Sequence, residues 1–170
     1  NYKLKMKKII FSALCLGMAL TMGAAAPKTS APASKKGFVT LYCSQAFQGP
    51  EEWDRYEFPI DSKGYITIFD GKTMKGWRGY GRSYMPGRWV IDDGAIHFMG
   101  NQTPEEQRKN KEGGDIIFAH KFKNFELSID WKVCKAGNSG VFYLAQELAN
   151  SKGELESIVV SGLESQVLDN

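Results

Sequence analysis

Tyr65-Ile66-Thr67-Ile68-Phe69-Asp70-Gly71-Lys72-Thr73-Met74-Lys75-Gly76-Trp77 is the stretch that decides how this chain folds. Five apolar, aromatic or β-branched residues favour an extended strand, Asp70-Gly71 favours a turn, and a Trp follows to be packed. The same grammar recurs on both sides. Strand-like runs are expected at Phe38–Cys43, Arg88–Ile91, Ala95–Met99, Asp115–Ala119, Phe125–Val133, Val141–Gln146 and Glu164–Leu168. Turn signals separate them: Asp61-Ser62-Lys63-Gly64, Asp92-Asp93-Gly94, Gly113-Gly114 and Lys135-Ala136-Gly137-Asn138. Helical periodicity is nearly absent, so the fold expected is an all-β sandwich. Asp92-Asp93-Gly94 is the strongest hairpin signal, because Asp-Gly tolerates the positive φ of a tight turn.

The N-terminal residues have the composition of an address rather than a fold. Lys3, Lys5, Lys7 and Lys8 precede an apolar run from Ile9 to Met22, and small residues Gly23 to Ala26 follow. Basic, apolar and small segments in that order make a secretory signal over residues 1–26, with Met6 a natural start. The run is shorter than the roughly 20 apolar residues of a membrane span. Cys15 follows Leu14, where a lipid-anchor motif wants a small residue. Residues 27–37, rich in Pro, Ala, Ser and Lys, read as a flexible tether. About 134 residues remain for the fold, enough for one domain with a core.

The net charge of +3 is partly carried by the signal, and no basic stripe points to nucleic acid. Cys43 and Cys134 are left after the signal; they could pair in an oxidising compartment or stay as packed thiols. His97 and His120 have no Cys or acidic spacing that suggests zinc, and no Ser-His-Asp arrangement is legible. Oligomeric state is not legible either.

Three constellations could carry chemistry. Phe125, Leu127, Ile129, Trp131 and Val133 alternate with Glu126, Ser128, Asp130 and Lys132, so one face is core. The polar face is either solvated or the concave, sugar-binding side of a curved sheet. Glu164 and Gln166 share a strand face roughly 7 Å apart; an acid beside an amide can move protons while gripping hydroxyls. These polar faces are expected to meet on one concave surface. Gly137-Asn138-Ser139-Gly140 lacks the Lys of a phosphate loop, leaving Asn138 and Ser139 as hydrogen-bonding groups at a turn. In the Gly-rich stretch from Gly76 to Gly87, Trp77 and Trp89 suit the core, whereas Tyr80, Arg82 and Tyr84 suit a carbohydrate-binding rim.

The opening -FDGKTMKGW-, then -GNSG- at Gly137 to Gly140 and -ESQVLDN- at Glu164 to Asn170, resemble in order the 3-keto-disaccharide hydrolase family. Members of that family carry "LFDGKTLxGW", "GNSG" and "EYQVLDN"; Ser165 stands where they commonly have an aromatic. The resemblance spans about residues 63–170, implies a concanavalin A-like jelly roll that opens at residue 63, and makes residues 38–62 an N-terminal extension of the sandwich. Family members continue with further strands, which implies a sandwich truncated at its C-terminus. It also implies cleavage of 3-keto-glycosides: a C3 ketone acidifies the C2 proton, a base removes it, the C1 substituent leaves, and water adds to the enone. Glu164 is then the base, Asp130 and Gln166 orient hydroxyls, and Arg82 or a divalent metal could hold the enolate oxygen; the sequence requires no cofactor. The partner is an oligosaccharide or 3-keto-glycoside, met in the periplasm or at the surface of a Gram-negative cell. Two rivals remain at this level: a non-catalytic lectin-like module, and a two-carboxylate glycosidase pairing Glu164 with Glu126 or Asp130.

Overall fold

The computed structural model describes residues 2–11, 18–21, 35–45, 47, 53–100, 103–105 and 113–169. Its strands are β1 (Tyr2–Phe11), β2 (Met18–Thr21), β3 (Phe38–Ser44), β4 (Trp53–Pro59), β5 (Tyr65–Phe69) and β6 (Trp77–Gly79). They continue with β7 (Trp89–Asp92), β8 (Ala95–Phe98), β9 (Ile116–Phe118), β10 (Phe125–Val133), β11 (Asn138–Ala145) and β12 (Leu163–Leu168). A single 3-10 turn, Ile158–Val160, precedes β12. The chain is an all-β sandwich of jelly-roll type. One sheet runs β10-β1-β8-β7 with β5 also on β1, and the other runs β12-β11-β2-β9-β6. The β3–β4 hairpin forms a third, two-stranded sheet. The charged run from residue 106 to 112, Cys15 and residues 27–34 lie outside the described residues.

Asp70, Gly76 and Trp77 of the opening stretch each fix the local fold. Asp70 Oδ1 accepts from the backbone N–H of Lys72 and of Thr73 (both 2.8 Å), fixing the turn after β5. Gly76, at φ 80°, has no room for a side chain: a Cβ there would sit 2.8 Å from the Phe118 ring. Trp77 then swings back, and its Nε1 donates to the Ile68 carbonyl at 2.8 Å. Trp77 packs edge-on against Phe118 at 5.4 Å between ring centres, and Phe118 meets Phe58 of β4 at the same spacing. Such aromatic pairs add about 0.5–1.5 kcal/mol each beyond area burial. Trp77 and Trp89 are core, as their spacing suggested. The Asp92-Asp93-Gly94 hairpin also forms: β7 and β8 are antiparallel, with φ positive at Asp93 and Gly94.

On β10 the expected alternation holds for Phe125, Leu127 and Ile129, which face inward and are half-buried. It breaks at Trp131, which is 51% exposed. The reason is a cavity of about 780 Å³ between the sheets, walled by Phe125, Leu127, Ile129 and Trp131 on one side and by Val141, Tyr143 and Val167 on the other. Both walls are apolar inner faces. Lys3, Lys123, Asn124 and Glu126 also line this space.

Pairing directions divide the molecule. Among the described residues, every ladder made by β1 or β2 is parallel: β1 with β10, β5 and β8, and β2 with β11 and β9. Every other ladder is antiparallel. Residues 2–11 and 18–21, the segment with signal composition, thus lie as parallel strands within an otherwise antiparallel framework. Cys43 and Cys134 are both free thiols; Cys43 is buried, and burial pushes its pKa up.

Candidate functional site

The site builds on the outer face of the β12-β11-β2-β9-β6 sheet. Because Gly140 pairs with Gln166 and Phe142 with Glu164, alternation places Asn138, Gly140, Phe142, Glu164 and Gln166 on one side. Ser139, Val141, Ser165 and Val167 point the other way, toward the interior. Gln166 Nε2 donates to Glu164 Oε2 at 2.7 Å, so the expected acid–amide pair exists as a bonded unit. Gly140 makes room for it: a Cβ at that position would collide with Glu164 Oε1. The glycine of the -GNSG- motif therefore lets the Glu164 side chain lie across β11. Asp169 joins the two motifs at the other end, its Oδ2 accepting from the Ala136 backbone at 2.7 Å.

Asp115 heads β9. Through the register of β9, β2 and β11 (Ile116 with Met18, Met18 with Val141), Asp115 stands level with Gly140. Its Oδ1 is buried and has no hydrogen-bond partner. Burial, and then the charge of Glu164, push its pKa up to about 7. The sequence gives no sign of this, since Asp115 stands at the start of a run that otherwise reads as core strand.

One end of the face is covered. Leu144, at φ 61°, sits where the β11–β2 register shifts, and the chain beyond it folds back over the sheet as residues 146–162. Two anchors hold it. Arg78 of β6 grips Glu147 with two bonds, Nη1 to Oε1 at 2.6 Å and Nη2 to Oε2 at 2.7 Å. Arg78 also donates to the carbonyls of Ser44, Gly79 and Arg82 and to Ser44 Oγ. Tyr80 donates its hydroxyl between the carbonyls of Gln146 (2.9 Å) and Glu156 (3.2 Å). Tyr80 was expected at the rim; instead it is buried, because this hydroxyl is what fastens the covering segment. Arg82 lies along the same end, with Nη2 3.9 Å from where a Cβ on Gly114 would be and its guanidinium 5.7 Å over the Tyr84 ring. Tyr84 is 54% exposed.

The structure therefore sorts the expected site residues. It brings Glu164, Gln166 and Asn138 onto one face and sets Arg82, with the Tyr84 ring beneath its guanidinium, near Gly114, the neighbour of Asp115. It separates two others. Ser139 is buried on the opposite, inner face, since it is one residue out of phase with Asn138. Asp130 lies on β10, in the other sheet, so the shared concave surface of Glu164, Gln166, Glu126, Ser128 and Asp130 does not form. Glu126 accepts a short hydrogen bond from the Tyr65 hydroxyl on that other sheet. The two-carboxylate pairing of Glu164 with Glu126 or Asp130 falls with this separation, because a glycosidase pair must flank one bond. The histidines stay outside the site; His120 Nδ1 donates to the Tyr42 carbonyl at 2.8 Å, and burial holds its pKa down. Among the described residues no group of three or more His, Cys, Asp or Glu gathers as a metal site. No helix among them is long and apolar enough to cross a membrane.

Residues 64–170 match the family described as the 3-keto-alpha-glucoside-1,2-lyase-like domain. The chain is also 45% identical over 173 residues to a 3-keto-disaccharide hydrolase of Bacteroides thetaiotaomicron, an alignment covering 97% of this chain and 59% of that protein. The chain thus spans less than two thirds of the length of the curated relative it matches. It belongs to the 3-keto-alpha-glucoside-1,2-lyase-like family.

Proposed function

We propose that this member of the 3-keto-alpha-glucoside-1,2-lyase-like family cleaves glycosides whose sugar carries a ketone at C3. The observation that carries the reading is the Glu164–Gln166 unit lying over Gly140 on an outer sheet face. Glu164 removes the C2 proton, which the adjacent ketone has made acidic; the electron pair forms the C1=C2 bond and the C1 substituent departs. Water then adds across the enone at C1. Gln166 and Asn138 offer donors and acceptors to ring hydroxyls, and Arg82 with Tyr84 forms the rim, where an aromatic face suits sugar C–H surfaces. The name of the Bacteroides relative and that of the family both support a keto-sugar substrate. The test is incubation of the full-length protein with an intact disaccharide and with its 3-keto derivative. Turnover of the keto-sugar alone supports the reading. Turnover of the intact sugar replaces it with ordinary glycoside hydrolysis, and saturable binding without turnover replaces it with a lectin.

We also propose that the protein is exported, with residues 1–26 as the signal. The Lys-rich start, apolar run and small-residue exit support this. A mature N-terminus between Ala25 and Lys35 on periplasmic or surface protein is the expected result.

A further inference from the structure

We propose that Asp115 is a second catalytic group of this site, the proton donor to the departing C1 oxygen; the proposal rests on the 3-keto-glycoside reading above. Elimination at neutral pH needs two opposite proton movements. One group must take the C2 proton, and another must protonate an alkoxide that is otherwise a poor leaving group. Glu164 is exposed and carries an amide on one oxygen. Asp115 has the contrasting environment. Its Oδ1 is buried without a partner, and among the described residues no Lys or Arg stands in ion-pair distance of it. A carboxyl in that state favours the neutral form and has a hydrogen bond left to give.

The two carboxyls share a surface. Asp115 is level with Gly140, and Glu164 folds across Gly140 from the strand beyond. The groups facing Asp115 are Glu164 from β12 and Tyr80 of the turn after β6. Glu147 and Glu156 of the covering segment act on Tyr80, and Arg82 reaches Gly114. Burial and the charge of Glu164 keep the Asp115 proton in place up to about pH 7, where a donor is useful.

The step balances. The C2–H bond breaks and its proton goes to Glu164; its electron pair becomes C1=C2; the C1–O bond breaks, and the leaving oxygen takes the Asp115 proton. Hydration runs the same groups in reverse: the Asp115 carboxylate accepts a proton from the water attacking C1, and Glu164 returns its proton to C2. Both groups end as they began, and no other reactant than water is consumed.

A leaving-group comparison tests this. Asp115→Asn in the full-length protein is assayed for release of the C1 substituent from a 3-keto-disaccharide and from a 4-nitrophenyl 3-keto-glucoside. Nitrophenolate departs without a proton. The expected result is a loss of about 10²–10⁴-fold on the disaccharide, with the nitrophenyl substrate within about tenfold of the parent. The basic limb of the disaccharide pH profile, near neutrality in the parent, should disappear. Equal losses on both substrates in a variant with the parental thermal midpoint overturn the assignment, as does full activity on both. Asp115→Ser, put through the same comparison, decides the matter if the Asn variant does not fold. A parent protein inert toward both keto-substrates overturns the functional reading itself, which is a separate result.

Discussion

β10 and β12 make a useful pair. Each alternates in sequence, each carries at least one acid on its polar side, and residues of both line the same cavity. Their polar faces end in different surroundings. That of β10 shows Ser128 and Asp130 to solvent, with Glu126 bonded to Tyr65. That of β12 looks across a glycine toward a half-buried acid, Asp115, on a sheet partly roofed by a segment that Arg78 and Tyr80 hold down. Alternation reveals that a strand has two faces; what lies over a face is decided by chain from elsewhere.

The comparison breaks most easily by exchanging acid for amide on each strand. Glu164→Gln keeps shape and hydrogen bonding but cannot accept a proton, so kcat on a 3-keto-glycoside should fall about 10²–10⁴-fold. Asp130→Asn is the matching change on β10 and should stay within about twofold, since Asp130 is exposed to solvent on the other sheet. Equal effects in steady-state kinetics would erase the distinction between the strands.

The roof is the next lever. Glu147→Gln leaves the buried Arg78 guanidinium without its charge partner, and loss of one member of such a pair costs about 3–5 kcal/mol. The exposed Arg55–Glu57 pair, at 3.6 Å, should yield at most about 1 kcal/mol on Glu57→Gln. Urea unfolding of both variants reads the difference directly.

Asp115 supplies a smaller, pH-dependent effect. Its folded-state pKa of about 7 lies above the 3.8 of an unburied Asp, so the folded chain holds the proton that the unfolded chain gives up between them. Stability from this group is present below pH 4, declines as pH rises to 7, and is absent above. Asp115→Asn should therefore be neutral near pH 4 and stabilising near pH 8, by up to about 4 kcal/mol. A pH-independent difference in thermal midpoint would contradict the buried, unpartnered state of that carboxyl.

Much of this was legible beforehand. The sandwich, the Asp-Gly hairpin and the two core tryptophans follow from local rules of turns and alternation, which depend on neighbours in sequence. The Glu164–Gln166 unit was legible for the same reason. Ser139 was misplaced by one step of alternation, because a turn does not say at which residue the strand begins. Asp130 was misplaced because strand patterns carry no sheet assignment. Tyr80 looked like a rim residue because the carbonyls that bind its hydroxyl lie 66 and 76 residues away. Asp115 was missed outright: a lone acid before an apolar run signals nothing until the far strands close around it.

The parallel seat of β1 also has a consequence in time. Tyr2 pairs with Phe125 and Phe11 with Val133, so its partners on β10 are made more than a hundred residues later. At a synthesis rate of about 5–20 residues per second, the N-terminal segment waits roughly 6 to 25 seconds before β10 exists. During that interval its lysines and apolar run are in reach of any export receptor, in competition with β5 and β8, which also pair with it and are made before β10. Under the export proposed above, delivery and folding become a race that starts when β5 is made and tightens when β10 appears.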